Sequence, residues 1–369
     1  MHKNIVIIGA GPVGLAFARL LQQEGANVKV YERDTNEHYR IKGGTLDLLK
    51  DMGQIVFEKA GLLSAYFGNA RLTARRITDI QGNIIQTLPP SDNPEIDRND
   101  LRRILLNSLQ PESVVWNRKF MSLEEQNGKF SLHFENGSIE TADFVVGANG
   151  IRSILRKIIT PVPARYAGTV AITGEVTDYE TRCPNFKKIC EEDKLITRNG
   201  RVFFLSQPKS NGDLYYYACF RQSESWAKSN NLNLNNNKQI SRFLNDLCSD
   251  WTSAYKELFA ATDEFTLLPL YQVPLENWQP HKNITLIGDA AHGMPPYAGV
   301  GVNMGLLDAL YLAENLTSGK FDNIQTAIDN YEERMFEYAS EAQQQTAINE
   351  KLLFSSQDGL EHGTVKQEN

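Results

Sequence analysis

Four apolar residues, Ile5 to Ile8, run without a break into Gly9-Ala10-Gly11-Pro12-Val13-Gly14. This is GxGxxG between a buried strand and a helix, and few arrangements constrain a chain more. Gly9 permits the tight turn, Gly11 lets a pyrophosphate approach the backbone, and Gly14 allows close helix–strand packing. The helix places Val13, Phe17, Leu20 and Leu21 on one face and ends at Gly25. A second strand, 27–31, ends in Glu32, eighteen residues beyond Gly14, where a carboxylate accepts hydrogen bonds from an adenosine ribose. An acid there favours an unphosphorylated ribose, so the resident dinucleotide is expected to be NAD or FAD rather than NADP. The adjacent Arg33 is either a solvated loop cation or a ligand contact.

A second strand–turn–helix stands near the other end of the chain. The apolar run 284–287 enters Gly288-Asp289-Ala290-Ala291-His292, and a bend rich in Pro and Gly leads to a helix from about Asn303. One carboxylate at a strand end and a cluster of backbone N–H groups at a helix start suit a polar or anionic ligand. Between the two motifs, Arg40 and Gly43-Gly44-Thr45-Leu46-Asp47 form a loop, with Asp47 a candidate N-cap for 48–60. Residues 71–88 read as a hairpin turning at 81–83, and Asp97 can cap a helix that buries Leu101, Ile104, Leu105 and Leu109. Arg98 and Arg102 project together from its first turn. Cations there oppose the helix dipole, so they are either exposed charge or partners of an anion such as a pyrophosphate. Two Asn-Gly turns, at 127 and 136, mark a meander before the buried strand 143–147.

Composition excludes other classes. A net charge of −7 over 369 residues argues against nucleic acid as partner. The four cysteines have no CxxC spacing, so neither a zinc site nor a disulfide framework is expected. Neither a signal peptide nor an apolar run of about 20 residues is visible, so a cytoplasmic protein without membrane contact is expected. An Asn-rich patch at 229–237 reads as an exposed loop.

Gly9–Gly14, Gly147–Arg156 and Gly288-Asp289, in that order and with the Arg98/Arg102 helix, resemble the group A flavoprotein monooxygenases of the para-hydroxybenzoate hydroxylase type. Within them the chain most resembles the tetracycline-inactivating flavin monooxygenases of the TetX type. Glu32-Arg33-Asp34, Gly43 to Leu48, Asp92 to Glu95, Arg98 to Arg102 and Gly288 to His292 carry that likeness. It runs from residue 3 to about 350 and is thin over 165–275.

The resemblance implies an α/β fold: a Rossmann-like FAD-binding domain of the glutathione-reductase type, a β-sheet substrate domain and a bridging C-terminal helix. The FAD-binding domain would comprise 1–70, 91–164 and 276–319. The substrate domain would comprise 71–90 and 165–275, followed by the helix 320–354 and a frayed tail, 355–369. FAD would be held tightly, while NADPH visits, reduces it and leaves. O2 would then give a C4a-hydroperoxide that transfers one oxygen to an aromatic or tetracycline-like substrate. Glu32 and Arg33 would hold the adenosine, Arg98 and Arg102 would lie along the FAD, and Asp289 would accept from the ribityl hydroxyls. The bend with Pro296, Gly299 and Gly301, and Asn303 after it, would flank the ring. Arg40 resembles a position associated with NADPH, and Asp47 one near the flavin. The flavin carries the chemistry, so no catalytic side chain and no metal is required, and His292 is expected to pack rather than act as a base.

Asn149 stands where much of the larger family has Asp, and Val300 where it has Gln. Over 166–272 the pattern changes to alternating strands, 169–176, 194–197, 201–206 and 214–222, rich in tyrosine. The residues matching the family's tetracycline contacts are Thr173, Lys194 and Tyr215, in place of Gln, Arg and His, so the cofactor carries over better than the substrate. Lys keeps a cation but loses the bidentate fork. Tetracycline or another fused-ring polyketide or phenol is the expected substrate, and a monomer the expected state. A reductase or dehydrogenase on the same fold, or a nucleotide-binding protein without catalysis, are the alternatives.

Overall fold

The structure, a computed structural model, describes residues 4–39, 43–229, 232–233, 236–279 and 281–355. Arg40 and most of the tail from 355 onward lie outside the described residues, so their expected roles are not addressed by it. The chain divides into two compact bodies. The first is Met1–Arg71, Asp92–Arg165 and Tyr271–Thr346, and the second is Leu72–Ser91, Tyr166–Leu270 and Ala347–Asn369.

In the first body a five-stranded sheet runs in the order Ile284–Leu286, Phe144–Gly147, Ile5–Ile8, Val28–Tyr31, Val114–Val115, with every pairing parallel. A parallel sheet is covered on both faces, which is why Ile5 to Ile8 and Phe144 to Val146 are uninterrupted apolar runs with every side chain buried. Ile5 registers between Val28 and Phe144, so the strand bearing the glycine turn is central. The helices Pro12–Gln23 and Gly301–Thr317 pack closely where Gly305 faces Val13: a Cβ on Gly305 would lie 2.5 Å from a Val13 methyl. A three-stranded antiparallel meander, Phe120–Gln126, Lys129–Phe134 and Ile139–Ala142, follows the expected Asn-Gly turns. Asn127 and Gly128 both have positive φ, as a tight hairpin turn of this hand requires. Thr45–Asp47 and Glu95–Asp97 form a short antiparallel pair.

Two expected helix caps are not made. The helical segment after Asp47 starts only at Lys50, with Leu49 at its N-cap, because Asp47 belongs to the short strand. Asp97 does occupy the N-cap position of Arg98–Asn107, but its side chain makes no cap hydrogen bond and pairs with Arg71 at 3.2 Å.

The second body is built on a seven-stranded sheet in the order Glu264–Gln272, Arg165–Val176, Leu214–Arg221, Val202–Pro208, Lys194–Arg198, Arg75–Thr78, Ile84–Leu88. The hairpin Arg75–Leu88 joins it through a parallel pairing with Lys194–Arg198. Alternation sends Val202, Phe204, Tyr216, Ala218 and Phe220 into one core. Phe186, Tyr255 and Phe259, from helices Pro184–Cys190 and Ser253–Ala261, close over them, with the Phe204 and Tyr255 rings edge to face at 5.2 Å. Asn236 and Asn237, from the Asn-rich stretch expected as a loop, instead cap and begin the helix Asn237–Leu247: the Asn236 side chain accepts from the Gln239 N–H. The final helix, Ile324–Leu353, runs through the sequence boundary of the two bodies.

Candidate functional site

The glycines of the first turn separate into two kinds. Gly9 has φ +113°, and a Cβ there would sit 2.6 Å from the Ala148 carbonyl oxygen. A Cβ on Gly14 would sit 2.2 Å from the Gly9 carbonyl oxygen. The chain itself requires both. Around Gly11 a Cβ would meet nothing within 4 Å, so the protein's own packing does not demand a glycine there. The same openness recurs at Gly299 and Gly301. Gly11 and Val300 are N-caps of the 12- and 17-residue helices, and neither helix start has a side-chain cap. Asn149 Oδ1 is buried and has no hydrogen-bond partner among the described residues. Open backbone at two uncapped helix starts fits a pyrophosphate-bearing dinucleotide, and the orphaned amide oxygen fits a hydroxyl donor on such a ligand.

The residues around this turn do structural work as well. Glu32 is buried, and its two oxygens accept from the Ala10 N–H at 2.7 Å and the Asp34 N–H at 3.0 Å. A carboxylate retains lone pairs beyond those two bonds for a ribose hydroxyl. Arg33 is exposed. Arg102 donates to the Ala10 carbonyl at 3.1 Å and to Asp34 at 3.2 Å, and lies over the Trp116 ring. One anion beside it is thus a carboxylate of the chain itself. Arg98 is exposed, and its stem packs at Gly43, where a Cβ would lie 3.0 Å from Arg98 Cδ. The structure thus separates the two arginines that sequence spacing grouped.

At the second motif Gly288 turns with φ +62° and hands the chain to Asp289, the first residue of a single helical turn, Asp289–His292. The Asp289 carboxylate is reached by solvent, yet surrounding chain atoms crowd it. That desolvation raises its pKa, offset in part by the charges of His292 and Arg98. The bend continues through the 3-10 turn Pro296–Ala298, with Pro296 exposed and Gly299 left-handed at φ +71°. Asn303 is fully buried and ties this helix to the 47–53 loop: its Oδ1 accepts from the Leu49 and Gly53 N–H groups at 2.8 and 3.2 Å, and its Nδ2 donates to the Asp47 carbonyl at 2.9 Å.

Beneath the Gly288 turn lies a buried polar cluster that sequence reasoning missed. Asp308 accepts from the Gly288 N–H at 2.6 Å, lies 2.7 Å from His292 Nε2, and accepts from the Tyr338 hydroxyl. Burial opposes the His292 cation, but Asp308 and then Asp289 raise its pKa overall. Arg156 is buried as well. It donates to the Ala290 and Ala291 carbonyls at 3.4 and 2.9 Å and to the Pro274 carbonyl, and burial brings it down to about 10. The only signal in the sequence was an Asp inside a helix otherwise rich in Leu and Ala.

In the second body, Thr173, Lys194 and Tyr215 occupy the sheet face opposite the aromatic core, alternating with Ile172, Leu195 and Tyr216. Thr173 registers with Tyr217, and Tyr215 with Glu175 and Gln207. Thr173 and Tyr215 are buried and Lys194 is half-buried. Among the described residues no group of three or more His, Cys, Asp or Glu side chains is arranged to hold a metal, and no helix is long and apolar enough to cross a membrane.

Comparison with known proteins agrees with this geometry. A family model described as FAD binding domain matches residues 2–346. The chain is 26% identical to the monooxygenase asqM of Emericella nidulans, over 95% of this chain and 96% of that protein. It is 27% identical to the 6-hydroxynicotinate 3-monooxygenase of Pseudomonas fluorescens, over 92% and 89%. The crystal structure of the tetracycline destructase Tet(51) superposes with a TM-score of 0.74 at 22% identity, over 95% of this chain and 91% of that one, a likeness of fold.

Proposed function

This chain belongs to the FAD binding domain family and is an FAD-dependent monooxygenase, and from that premise we propose that it spends NADPH and O2 to hydroxylate a small aromatic or polycyclic compound. Substrate, O2, NADPH and a proton go to hydroxylated substrate, water and NADP⁺. Bound FAD supplies the redox chemistry, accepting a hydride and activating O2.

The protein's own part is to bind, orient and exclude water. The open backbone at Gly11 and the uncapped helix start behind it would receive the pyrophosphate, with Glu32 taking the ribose. Arg102 holds the turn through Ala10 and Asp34, while Arg98, exposed, would lie along the cofactor, and Arg33 beside the adenosine. Asp289 would accept from the ribityl hydroxyls, with the Pro296, Gly299 and Gly301 backbone along the ring. Asn303 fixes the 47–53 loop, Asp47 included, against that bend. Thr173, Lys194 and Tyr215 would meet the substrate with a hydroxyl, a cation and a phenol. One relative is a 6-hydroxynicotinate monooxygenase and one structural neighbour a tetracycline destructase, and a phenol or fused-ring polyketide, tetracycline included, is the class we favour. A cytoplasmic location and a monomeric state belong to the same proposal.

The observation that carries the reading is the set of glycines open to the outside, Gly11, Gly299 and Gly301, at two uncapped helix starts. The test is NADPH oxidation under ¹⁸O2 with a panel of tetracyclines, phenols and hydroxypyridines. Substrate-stimulated NADPH use with a product carrying one labelled oxygen is expected. Stimulated NADPH use without labelled product would contradict it.

A further inference from the structure

Asp308 is a fully buried carboxylate that no step above uses. One of its oxygens, Oδ2, meets both ends of the Gly288–His292 turn: the Gly288 N–H at 2.6 Å and His292 Nε2 at 2.7 Å. Its other oxygen takes the Tyr338 hydroxyl. On the opposite side of the same turn, the buried Arg156 guanidinium binds the Ala290 and Ala291 carbonyls. A four-residue helical turn has almost no stability of its own. Here it is clamped by an anion on its N–H side and a cation on its carbonyl side, neither of which comes from the turn. Asp289, between the clamped ends, is the one side chain of the turn that reaches solvent. Such an arrangement is more than an isolated fold needs, because burying charge is costly even when, as for Asp308, a backbone N–H, a histidine and a tyrosine hydroxyl satisfy it. It suits a site where one carboxylate must be held within a fraction of an ångström.

We infer that Asp308, with His292, is a positioning residue that holds Asp289 against the FAD; the inference rests on the reading of Asp289 as an FAD contact. Asp308 touches neither cofactor nor substrate and acts through the turn. His292 Nδ1 is buried with no partner among the described residues, so the bond to Asp308 is what orients the imidazole.

The experiment is a double-mutant cycle read as FAD Kd on the full chain, by fluorescence titration, with the visible spectrum of the bound flavin and the melting temperature of the apoprotein recorded for each variant. Asp308→Asn keeps an acceptor for the Gly288 N–H and removes the charge; His292→Gln repeats the test from the other side if Asp308→Asn does not fold. Asp289→Ala is expected to weaken FAD at least tenfold. Asp308→Asn in the wild-type background is expected to weaken it about tenfold and to change the flavin spectrum, while in the Asp289→Ala background it changes Kd less than twofold. Unchanged Kd in Asp289→Ala overturns the reading of the site, and the inference with it. Loss of FAD in Asp289→Ala with unchanged Kd in Asp308→Asn and His292→Gln overturns the inference alone. Equal, additive losses in both backgrounds also overturn it, because Asp308 would then act independently of Asp289.

Discussion

The candidate ligand surfaces of the two bodies are built differently. In the first, the candidate surface is backbone: open glycines, uncapped helix starts and one carboxylate, held from behind by Glu32, Arg102, Asn303, Arg156 and Asp308. In the second, it is side chains: Thr173, Lys194 and Tyr215 on a sheet face whose reverse is a packed aromatic core. A backbone surface needs particular residues for steric reasons, so its identity survives in a sequence motif. A side-chain surface can be rewritten residue by residue without touching the sheet, so the fold can persist while the ligand changes. The cofactor of this protein is therefore readable at a likeness where its substrate is not.

The sharpest way to break that contrast lies at Gly9. With φ +113° and the Ala148 carbonyl in the way of a Cβ, Gly9→Ala is expected to destabilise the first body by about 3 kcal/mol or more. Thermal unfolding would read this, and a variant as stable as the wild type would mean the turn is not under steric control. A smaller effect is expected at Glu332, which is buried beneath the same sheet and accepts from Thr285. Burial pushes its carboxyl up to about 7 from an ordinary 4.5. The folded state therefore holds that proton more tightly than the unfolded state. Its contribution is fully present below about pH 4.5 and is lost as pH rises through about 7, on the order of 1–3 kcal/mol. Glu332→Gln should flatten this part of the stability–pH curve and gain relative to wild type at pH 8; an unchanged slope in urea titrations at pH 5 and 8 would refute it. The smallest effect is expected in the second body. Tyr215→Phe should change stability by no more than about 1 kcal/mol and leave FAD occupancy intact, while shifting KM for the substrate several-fold. A loss of FAD in that variant would erase the distinction between the two surfaces.

Much of the first body was legible because its rules are local. Ile5–Ile8, the glycine turn, Glu32, the Asn-Gly hairpins and the strand before Gly288 follow from spacing alone. What was misread depended on partners far away in the chain. Asp97 looked like a cap until Arg71 claimed it, and the pairing of Arg102 with Asp34, 68 residues away, gave no sign in the spacing. Asp47 sits in a strand pairing with Glu95, and its loop is fixed by Asn303, more than 250 residues on. Asp308 was invisible because its bonds to Gly288, His292 and Tyr338 form only once the last two helices are packed. In the second body the alternating strands were legible, whereas the short helices Pro184–Cys190 and Ser253–Ala261 were not, since seven to nine residues give too little helical period to stand out.

The central claim is that a largely backbone-built surface in the first body holds FAD, with Asp289 the side chain at its flavin end, while the sheet face of the second body selects the substrate. FAD titration of Asp289→Ala and Tyr215→Phe side by side tests it most directly. Asp289→Ala should fold, melt near the wild-type apoprotein and retain little FAD, while Tyr215→Phe should bind FAD as the wild type does. Full FAD occupancy in Asp289→Ala, with NADPH oxidation intact, would contradict it.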